Sequence, residues 1–487
     1  MSKRADLTAL IDAIVDAPVL VVGDLMLDRF VHGTVDRISP EAPVPVLNVT
    51  SEADMLGGAG NVARNLSALG AATHFVAVVG NDRAGKTVTA LAGGLDDVRA
   101  DLIVDRNRET TIKTRYFADR QQVLRADRET GHPVVGDVEA ELVKRVARGL
   151  KAVRMVVLSD YGKGTLTPQA IGEIIRAAHE VGRPVLVDPK GGDYGRYRGA
   201  RLITPNRKEL AEATRLPTGD EDEIVGAARR LAKGCGIEAV LATRGPDGMT
   251  LIDGRKKLKH LPAQAREVFD VSGAGDTVIA VMAAALAAEA PLIEAARLAN
   301  VAAGIVVGKA GTAVADRDEI AAALLRQELM TGERKVVSLN EAQQRVAAWR
   351  TQGLKVGFTN GCFDLLHPGH VSLLAQAGGA CDRLVVGLNA DASVARLKGK
   401  GRPVQPEAAR GAVLGSLATV DLVTIFAQDT PERLIETLRP DVLIKGADYT
   451  IDEVVGAQIV TGYGGKVLLA KLKPGHSTSE TIKKISR

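Results

Sequence analysis

Short apolar runs rich in β-branched residues alternate with Ala-rich segments of helical length along most of the chain. Val19–Gly23, Phe75–Gly80, Met155–Ser159, Pro184–Asp188 and Ala239–Thr243 are such runs, each near a helix-length segment. Continuous apolar runs of this length belong to strands covered on both faces, so the alternation predicts a parallel, doubly wound α/β sheet. Two segments break the pattern. Phe30–Thr50 contains Ser39-Pro-Glu-Ala-Pro-Val-Pro45, and Thr110–Asp127 alternates Thr, Lys, Arg and Tyr. Both are expected to form strands of an appended flap.

From Asp316 to Asn340 the periodicity is lost, around Met330-Thr-Gly-Glu-Arg-Lys335. A second α/β pattern starts at Leu354–Thr359, with strands expected at Arg383–Leu388, Leu422–Ile425, Val442–Ile444 and Lys466–Leu469. The reading is a large domain over residues 1–330, a linker over 331–350 and a smaller α/β domain over 351–487. A chain of 487 residues also exceeds what one hydrophobic core organises.

Charge narrows the class of partner. Lys plus Arg number 63 against 59 Asp plus Glu, a net +4, which provides no broad basic surface for nucleic acid and favours small anionic substrates. Cys235, Cys362 and Cys381 are too few and too scattered for a disulfide framework or a zinc site. With no signal-peptide pattern in residues 1–18 and no run of about 20 apolar residues, a cytoplasmic protein without a membrane partner is expected.

Two Gly-rich motifs carry phosphate chemistry of different kinds. Asp270-Val-Ser-Gly-Ala-Gly-Asp276 precedes an Ala-rich helix, so Gly273, Ala274 and Gly275 would offer backbone N–H groups at a helix N-terminus, where anions bind. Asp276 could then accept the proton of an attacking hydroxyl. Read by itself, the same stretch is equally a glycine turn with Asp276 as a helix cap. Context favours chemistry: Gly57-Gly-Ala-Gly-Asn-Val-Ala63 supplies a second Gly-rich helix start, Asn206-Arg-Lys-Glu209 follows Ile203-Thr-Pro, and Thr243-Arg-Gly245 ends a strand. A competing kinase site exists in Gly80-Asn-Asp-Arg-Ala-Gly-Lys-Thr87, which fits the P-loop pattern but puts Asp82 where phosphates would lie.

The other motif, Phe358-Thr-Asn-Gly-Cys-Phe-Asp-Leu-Leu-His-Pro-Gly-His370, runs from a strand into a helix. Pro368 and Gly369 suit the helix entrance, which sets His367 and His370 beside N–H groups that face a nucleotide phosphate. Donation from the two imidazoles to an α-phosphate in attack needs neither a covalent intermediate nor a base. Metal binding by Cys362, His367 and His370 is the competing reading, and it lacks a fourth ligand. Arg396-Leu-Lys-Gly399, Arg402-Pro403, Lys445-Gly-Ala-Asp-Tyr449 and Ser477-Thr-Ser479 add groups suited to triphosphate or ribose.

Residues 10–320 resemble the ribokinase (PfkB-type) sugar kinases, and residues 350–487 resemble the cytidylyltransferase-like family. The first resemblance implies Asp276 as base and Gly273, Ala274 and Gly275 as anion hole. It also implies Asn206, Arg207, Lys208, Glu209, Thr243, Arg244 and Gly245 on the ATP side, with Glu209 acting on Mg2+ indirectly. Asp24, Gly57, Gly58 and Asn61 would grip the sugar, with Lys163 and Lys190 as cations for a phosphosugar, and the flap would be the family's β lid. The second resemblance implies Thr359, Asn360, Phe363, Lys398, Lys445, Ser477 and Thr478 around the nucleotide of a Rossmann-like domain. The end of the chain departs from the family's Arg-Thr-x-Gly-Ile-Ser-Thr-Thr, reading Lys473-Pro-Gly-His-Ser-Thr-Ser479, so Lys471 or Lys473 would replace the arginine.

The fusion as a whole resembles the bacterial bifunctional heptose enzymes of ADP-heptose synthesis. That implies ATP and Mg2+, phosphosugar substrates, a separate phosphatase between the two steps, and a homodimer through the lid. Two alternatives stay open: a phosphosugar kinase fused to a CTP-dependent polyol or glycerol phosphate transferase, and a chain in which one half is a non-catalytic nucleotide sensor.

Overall fold

The structure, a computed structural model, describes residues 7–119, 121–254, 257–264, 269–309, 311–324, 335–399, 401–446 and 450–471. It divides into two compact units, Met1–Leu324 and Leu325–Arg487.

The first unit is built on a nine-stranded sheet and a four-stranded lid. In chain order the strands are β1 (Val19–Gly23), β2 (Leu25–Ile38), β3 (Pro45–Gly58), β4 (Thr73–Gly80), β5 (Val98–Asp105), β6 (Thr111–Ala118) and β7 (Gln121–Arg128). They continue as β8 (Met155–Ser159), β9 (Val185–Asp188), β10 (Leu202–Ile203), β11 (Ala239–Thr243), β12 (Met249–Asp253) and β13 (Lys257–Leu261). The large sheet runs β13-β12-β11-β10-β9-β8-β1-β4-β5 and the lid β3-β2-β6-β7. All pairs from β11 to β5 are parallel, as the apolar runs predict, whereas β12 and β13 add an antiparallel hairpin that they did not.

Each strand of a doubly wound sheet feeds two cores. Val19 and Val21 of β1 pack into one, with the helix Ala274–Ala287, while Leu20 and Val22 pack into the other, with the helix Pro168–Glu180. The flap expectation holds with longer strands, because β2 and β3 pair antiparallel from Leu25↔Gly58 to Ile38↔Pro45. Strands β1, β8 and β9 are neighbours, so their C-terminal ends bring Asp24, Asp160, Tyr161 and Asp188 to one edge. That edge is where ligands of open α/β sheets bind.

In the second unit β14 (Val356–Gly361), β15 (Arg383–Asn389), β16 (Leu422–Phe426), β17 (Val442–Gly446) and β18 (Lys466–Ala470) form one parallel sheet. Its order, β16-β15-β14-β17-β18, makes β14 the point at which the winding reverses. Phe358 and Val385 pack into one core, Leu384 and Val386 into the other.

The linker expected over 331–350 is corrected in part. Ser338 caps a helix over Leu339–Thr351 by accepting from Glu341 N–H, and its Ala342 and Val346 are buried in the core around Phe358. Val336 forms a bridge with Val423 of β16, so this stretch belongs to the second unit. The Ser-x-x-Glu start was legible, but surrounding charges masked the apolar face.

Two candidate active sites

Asp276 lies in the first turn of the helix Ala274–Ala287 and is 3% exposed. Tyr161 Oη donates to its Oδ1 at 2.7 Å, and Asn61 Nδ2 donates to its Oδ2 at 2.8 Å. Asn61 is itself oriented, because Arg64 Nη1 donates to Asn61 Oδ1 at 3.0 Å and to Thr312 O at 2.7 Å. With the amide oxygen taken, only the amide nitrogen can face the carboxylate. Burial raises the Asp276 carboxyl to about 6, and the nearby Asp28 adds to the rise, while the Asn61 and Tyr161 hydrogen bonds restrain it. A carboxyl poised there is ionised at neutral pH and still basic enough to take a hydroxyl proton.

The helix start needs glycine. Gly273 has φ 80°, and a β-carbon on it would lie 2.7 Å from Asn61 Nδ2. The Ala274 amide, one of three expected in the anion hole, turns back to Val271 O at 3.3 Å. Across the site Gly58 caps the helix Ala59–Ala68 with φ 58°. Gly57 lies so close to Asp28 that a β-carbon would stand 2.4 Å from its Oδ2.

Asp24, expected to grip sugar hydroxyls, does something else. Its carboxylate accepts from the backbone N–H groups of Tyr161 at 2.9 Å, Lys163 at 2.9 Å and Thr165 at 3.0 Å. It therefore shapes the loop that carries Tyr161. Asp28, four residues on, is the carboxylate beside Gly57, and Arg115 Nη1 donates to it at 2.8 Å.

The two lysines proposed for a phosphosugar are held by different carboxylates. Lys163 pairs with Glu129 at 2.6 Å, next to the lid, while Lys190 donates to Glu209 Oε1 at 2.8 Å, on the side of the helix Arg207–Thr214.

On that side Asn206 and Glu209 form a capping box at the helix Arg207–Thr214, and Asn206 bridges Thr243 across neighbouring strand ends. The two motifs are thus brought together. The cations around them are not free to follow. Arg244 is tied to Glu221 at 2.6 Å and Arg207 to Asp247, while Lys208 is 85% exposed next to Glu212. Gly245, at φ 62°, begins the short turn after β11.

Burial holds the Asp188 carboxyl far above the ordinary range, and the Asp276 and Glu209 carboxylates push it the same way. Such crowding of acids next to the site suits a divalent cation. Among the described residues no three His, Cys, Asp or Glu side chains form a ready metal cage. Mg2+ does not require one, since it keeps several waters and binds through one or two carboxylates plus substrate phosphates.

The P-loop reading fails on geometry. Asp82 caps the helix Arg83–Gly93, accepting from Gly85 N at 2.6 Å and Thr110 N at 2.7 Å, and Thr110 Oγ1 accepts from Gly80 N at 2.9 Å. The loop is filled by Asp82 and by Thr110 from just before β6, and Lys86 is exposed on the helix.

In the second unit His367 is the N-cap of the helix Pro368–Gly379, with Pro368 in its first turn. The rings of His367 and His370 stack at 3.9 Å with a 23° interplanar angle, so they present parallel edges rather than converging on a metal. Burial lowers His370 to about 4, helped by His367, and its imidazole is neutral at physiological pH. Phe363, expected in the nucleotide pocket, is 4% exposed with φ 43°, its ring tilted against His370 at 5.1 Å. It supports the histidine from the core side.

Thr359 and Asn360 lie near the C-terminal end of β14, and among the described residues Thr359 Oγ1 and Asn360 Oδ1 are buried without hydrogen-bond partners. Lys445 Nζ donates to Asn360 O at 3.4 Å from the adjacent β17. Lys398, exposed, closes the helix Asp391–Lys398. Ser477 and Thr478 lie outside the described residues, as does Lys473. Sequence reasoning missed Arg410, whose guanidinium is wholly buried and donates to Cys362 O, Gln405 O and Asp391 Oδ1.

Comparison with known proteins follows the same division. Residues 16–319 match the pfkB family carbohydrate kinases, and residues 358–484 match the cytidylyltransferase-like family. Over its full length the chain is 59% identical to the bifunctional protein HldE of Paramagnetospirillum magneticum, covering 100% of each. The chain belongs to the HldE family of bifunctional enzymes. It joins a kinase to an adenylyltransferase. The HldE of Rhodospirillum rubrum is 55% identical, with 100% of this chain and 98% of that protein covered. Among solved structures, phosphofructokinase-2 of Escherichia coli with substrates and products superposes with a TM-score of 0.55 at 20% identity, over 64% of this chain and 99% of that one. The likeness is one of fold, ribokinase-like with a lid. No described helix is long and apolar enough to cross a membrane.

Proposed function

We propose that the first unit phosphorylates D-glycero-β-D-manno-heptose 7-phosphate at O1, and that the second joins heptose 1-phosphate to the AMP part of ATP. The observation that carries the kinase half is Asp276, buried at a glycine-led helix start and fixed by Tyr161 and Asn61. Asp276 takes the proton of the anomeric hydroxyl as its oxygen attacks the γ-phosphorus of ATP, and ADP leaves. The amides of Gly273 and Gly275 receive the phosphoryl oxygens. Asp28, beside Gly57, replaces Asp24 as the carboxylate for sugar hydroxyls. Asp188 and Glu209 would hold Mg2+ through its waters, and Asn206, Thr243 and Gly245 line the nucleotide side. Bound there, the metal would neutralise charge on the ATP phosphates.

In the second unit the phosphate of heptose 1-phosphate attacks the α-phosphorus of ATP, and pyrophosphate leaves. His370, held neutral, and His367 beside it donate to the α-phosphate oxygens, Lys445 and Lys398 supply charge, and Thr359 and Asn360 meet the nucleotide with the side-chain oxygens left open at the end of β14. Between the two reactions a separate phosphatase removes the 7-phosphate, so the intermediate leaves the enzyme. A cytoplasmic homodimer fits this chemistry. Support for a dimer comes from β3, an edge strand of the lid, where Val49 and the adjoining Val44 are exposed.

The deciding experiment supplies purified protein with heptose 7-phosphate, ATP and Mg2+, with and without the phosphatase, and detects products by mass. Heptose 1,7-bisphosphate without the phosphatase and ADP-heptose with it are expected. Preference for CTP over ATP in the second reaction would instead favour the polyol or glycerol phosphate transferase.

A further inference from the structure

The inner face of the lid carries more positive charge than its own carboxylates neutralise, and the excess sits on one residue. Lys113 of β6 is opposite Asp28 of β2 and Asp127 of β7, so all three share a face. Arg115, two residues along the same strand, lies on that face opposite Arg125. The acids there are already committed. Asp28 pairs with Arg115 at 2.8 Å and Asp127 with Arg125 at 2.9 Å, while nearby Glu129 pairs with Lys163 at 2.6 Å. Lys113 is half-buried, and among the described residues no carboxylate is in ion-pair contact with it. Its one close partner is an aromatic ring: Nζ stands 5.5 Å from the centroid of Tyr161, the residue whose hydroxyl holds Asp276.

An ammonium group half-removed from water and left without a counter-ion is costly unless a ligand supplies the charge. Burial lowers the Lys113 ammonium, and Lys163 and Arg125 lower it further against the pull of Asp28 and Asp127. An incoming dianion would reverse that balance. The position is also selective, since the lysine is held one tyrosine ring away from the catalytic base rather than on it.

We propose that Lys113 binds the phosphate ester that the sugar already carries, with Lys163 at the rim of the same subsite, and so makes the kinase selective for phosphosugars. Lys190, tied to Glu209 on the nucleotide side, has no part in it. The inference rests on the reading of the first unit as a phosphosugar kinase. It goes beyond that reading by naming the residue that recognises the phosphate.

The test compares wild type with Lys113→Met and Lys113→Arg in the full-length protein. Initial rates are taken with heptose 7-phosphate and with unphosphorylated heptose at saturating ATP. Loss of one charge-assisted contact to a phosphate is worth a factor of about 10 to 100. For Lys113→Met the KM for heptose 7-phosphate is expected to rise by that factor, with kcat changed far less. The ratio of kcat/KM for the phosphorylated over the plain sugar falls equally, and Lys113→Arg recovers most of it. An unchanged ratio, or an equal loss of kcat on both sugars, overturns the proposal. Circular dichroism and titration calorimetry with heptose 7-phosphate, without ATP, separate weak binding from misfolding. If the wild type prefers another phosphosugar, the heptose assignment fails while the same comparison on that sugar still tests Lys113. A wild type that prefers plain sugars sinks both.

Discussion

The hydroxyl of Tyr161 and the carboxylate of Asp276 are 2.7 Å apart, although 115 residues of chain separate them. The bond does two things: it fixes the direction of the carboxylate, and it favours the ionised form against the burial that raises the group to about 6. The base acts only when ionised, so kinase kcat/KM is expected to fall as pH drops through about 6. Tyr161→Phe removes the donor, so the group should hold its proton to higher pH. The acid limb of the pH–rate profile then moves upward while the alkaline side keeps more of its rate. An acid limb that stays in place would remove Tyr161 from this role.

Asp24 accepts three backbone amides of the loop that carries Tyr161. Asp24→Ala would leave them buried and unsatisfied, at a cost of about 1–3 kcal/mol each before relaxation. Both a lower unfolding temperature of the first unit and a large loss of kinase kcat are expected, through misplacement of Tyr161 and Asp276. A pure rise in sugar KM with unchanged unfolding would instead place Asp24 on the sugar.

His370 is held neutral, at about 4, by burial and by His367. Adenylyl transfer should therefore show no titration of His370 between about pH 5.5 and 8, since a neutral imidazole donates equally well across that range. His370→Ala is expected to lower transferase kcat by about 10²–10³ while the kinase rate is unchanged. Separate coupled assays for ADP and pyrophosphate check both. A bell-shaped profile centred near neutral pH would mean that a histidine is acting as an acid or base.

Most of the fold was legible because short-range signals and packing coincide in it. The all-buried runs of β1, β8 and β11 announced a covered parallel sheet, and the glycines at Gly58 and Gly273 marked helix starts where a side chain does not fit. What was not legible is direction. In Gly23-Asp-Leu-Met-Leu-Asp28 the sequence contains two carboxylates four apart, and only the tertiary loop at 161–165 takes up Asp24 with its backbone amides. Lys163 and Lys190 both follow strands, yet Glu129 and Glu209 claim them from distant segments. Tyr161 stood in the same Asp160–Gly164 loop and was passed over because its partner lies across the fold. Arg410 reads as an ordinary helix residue until Cys362, Gln405 and Asp391 close around it.

Among the described residues the buried apolar side chains form four clusters, two in the first unit and two in the second. On the proposed pathway the intermediate must leave the enzyme for the phosphatase, so the two activities need not reside on the same molecule. The two activities should then be separable genetically. An allele lacking Asp276 and an allele lacking His370 should complement each other in one cell, whereas neither would support the product alone.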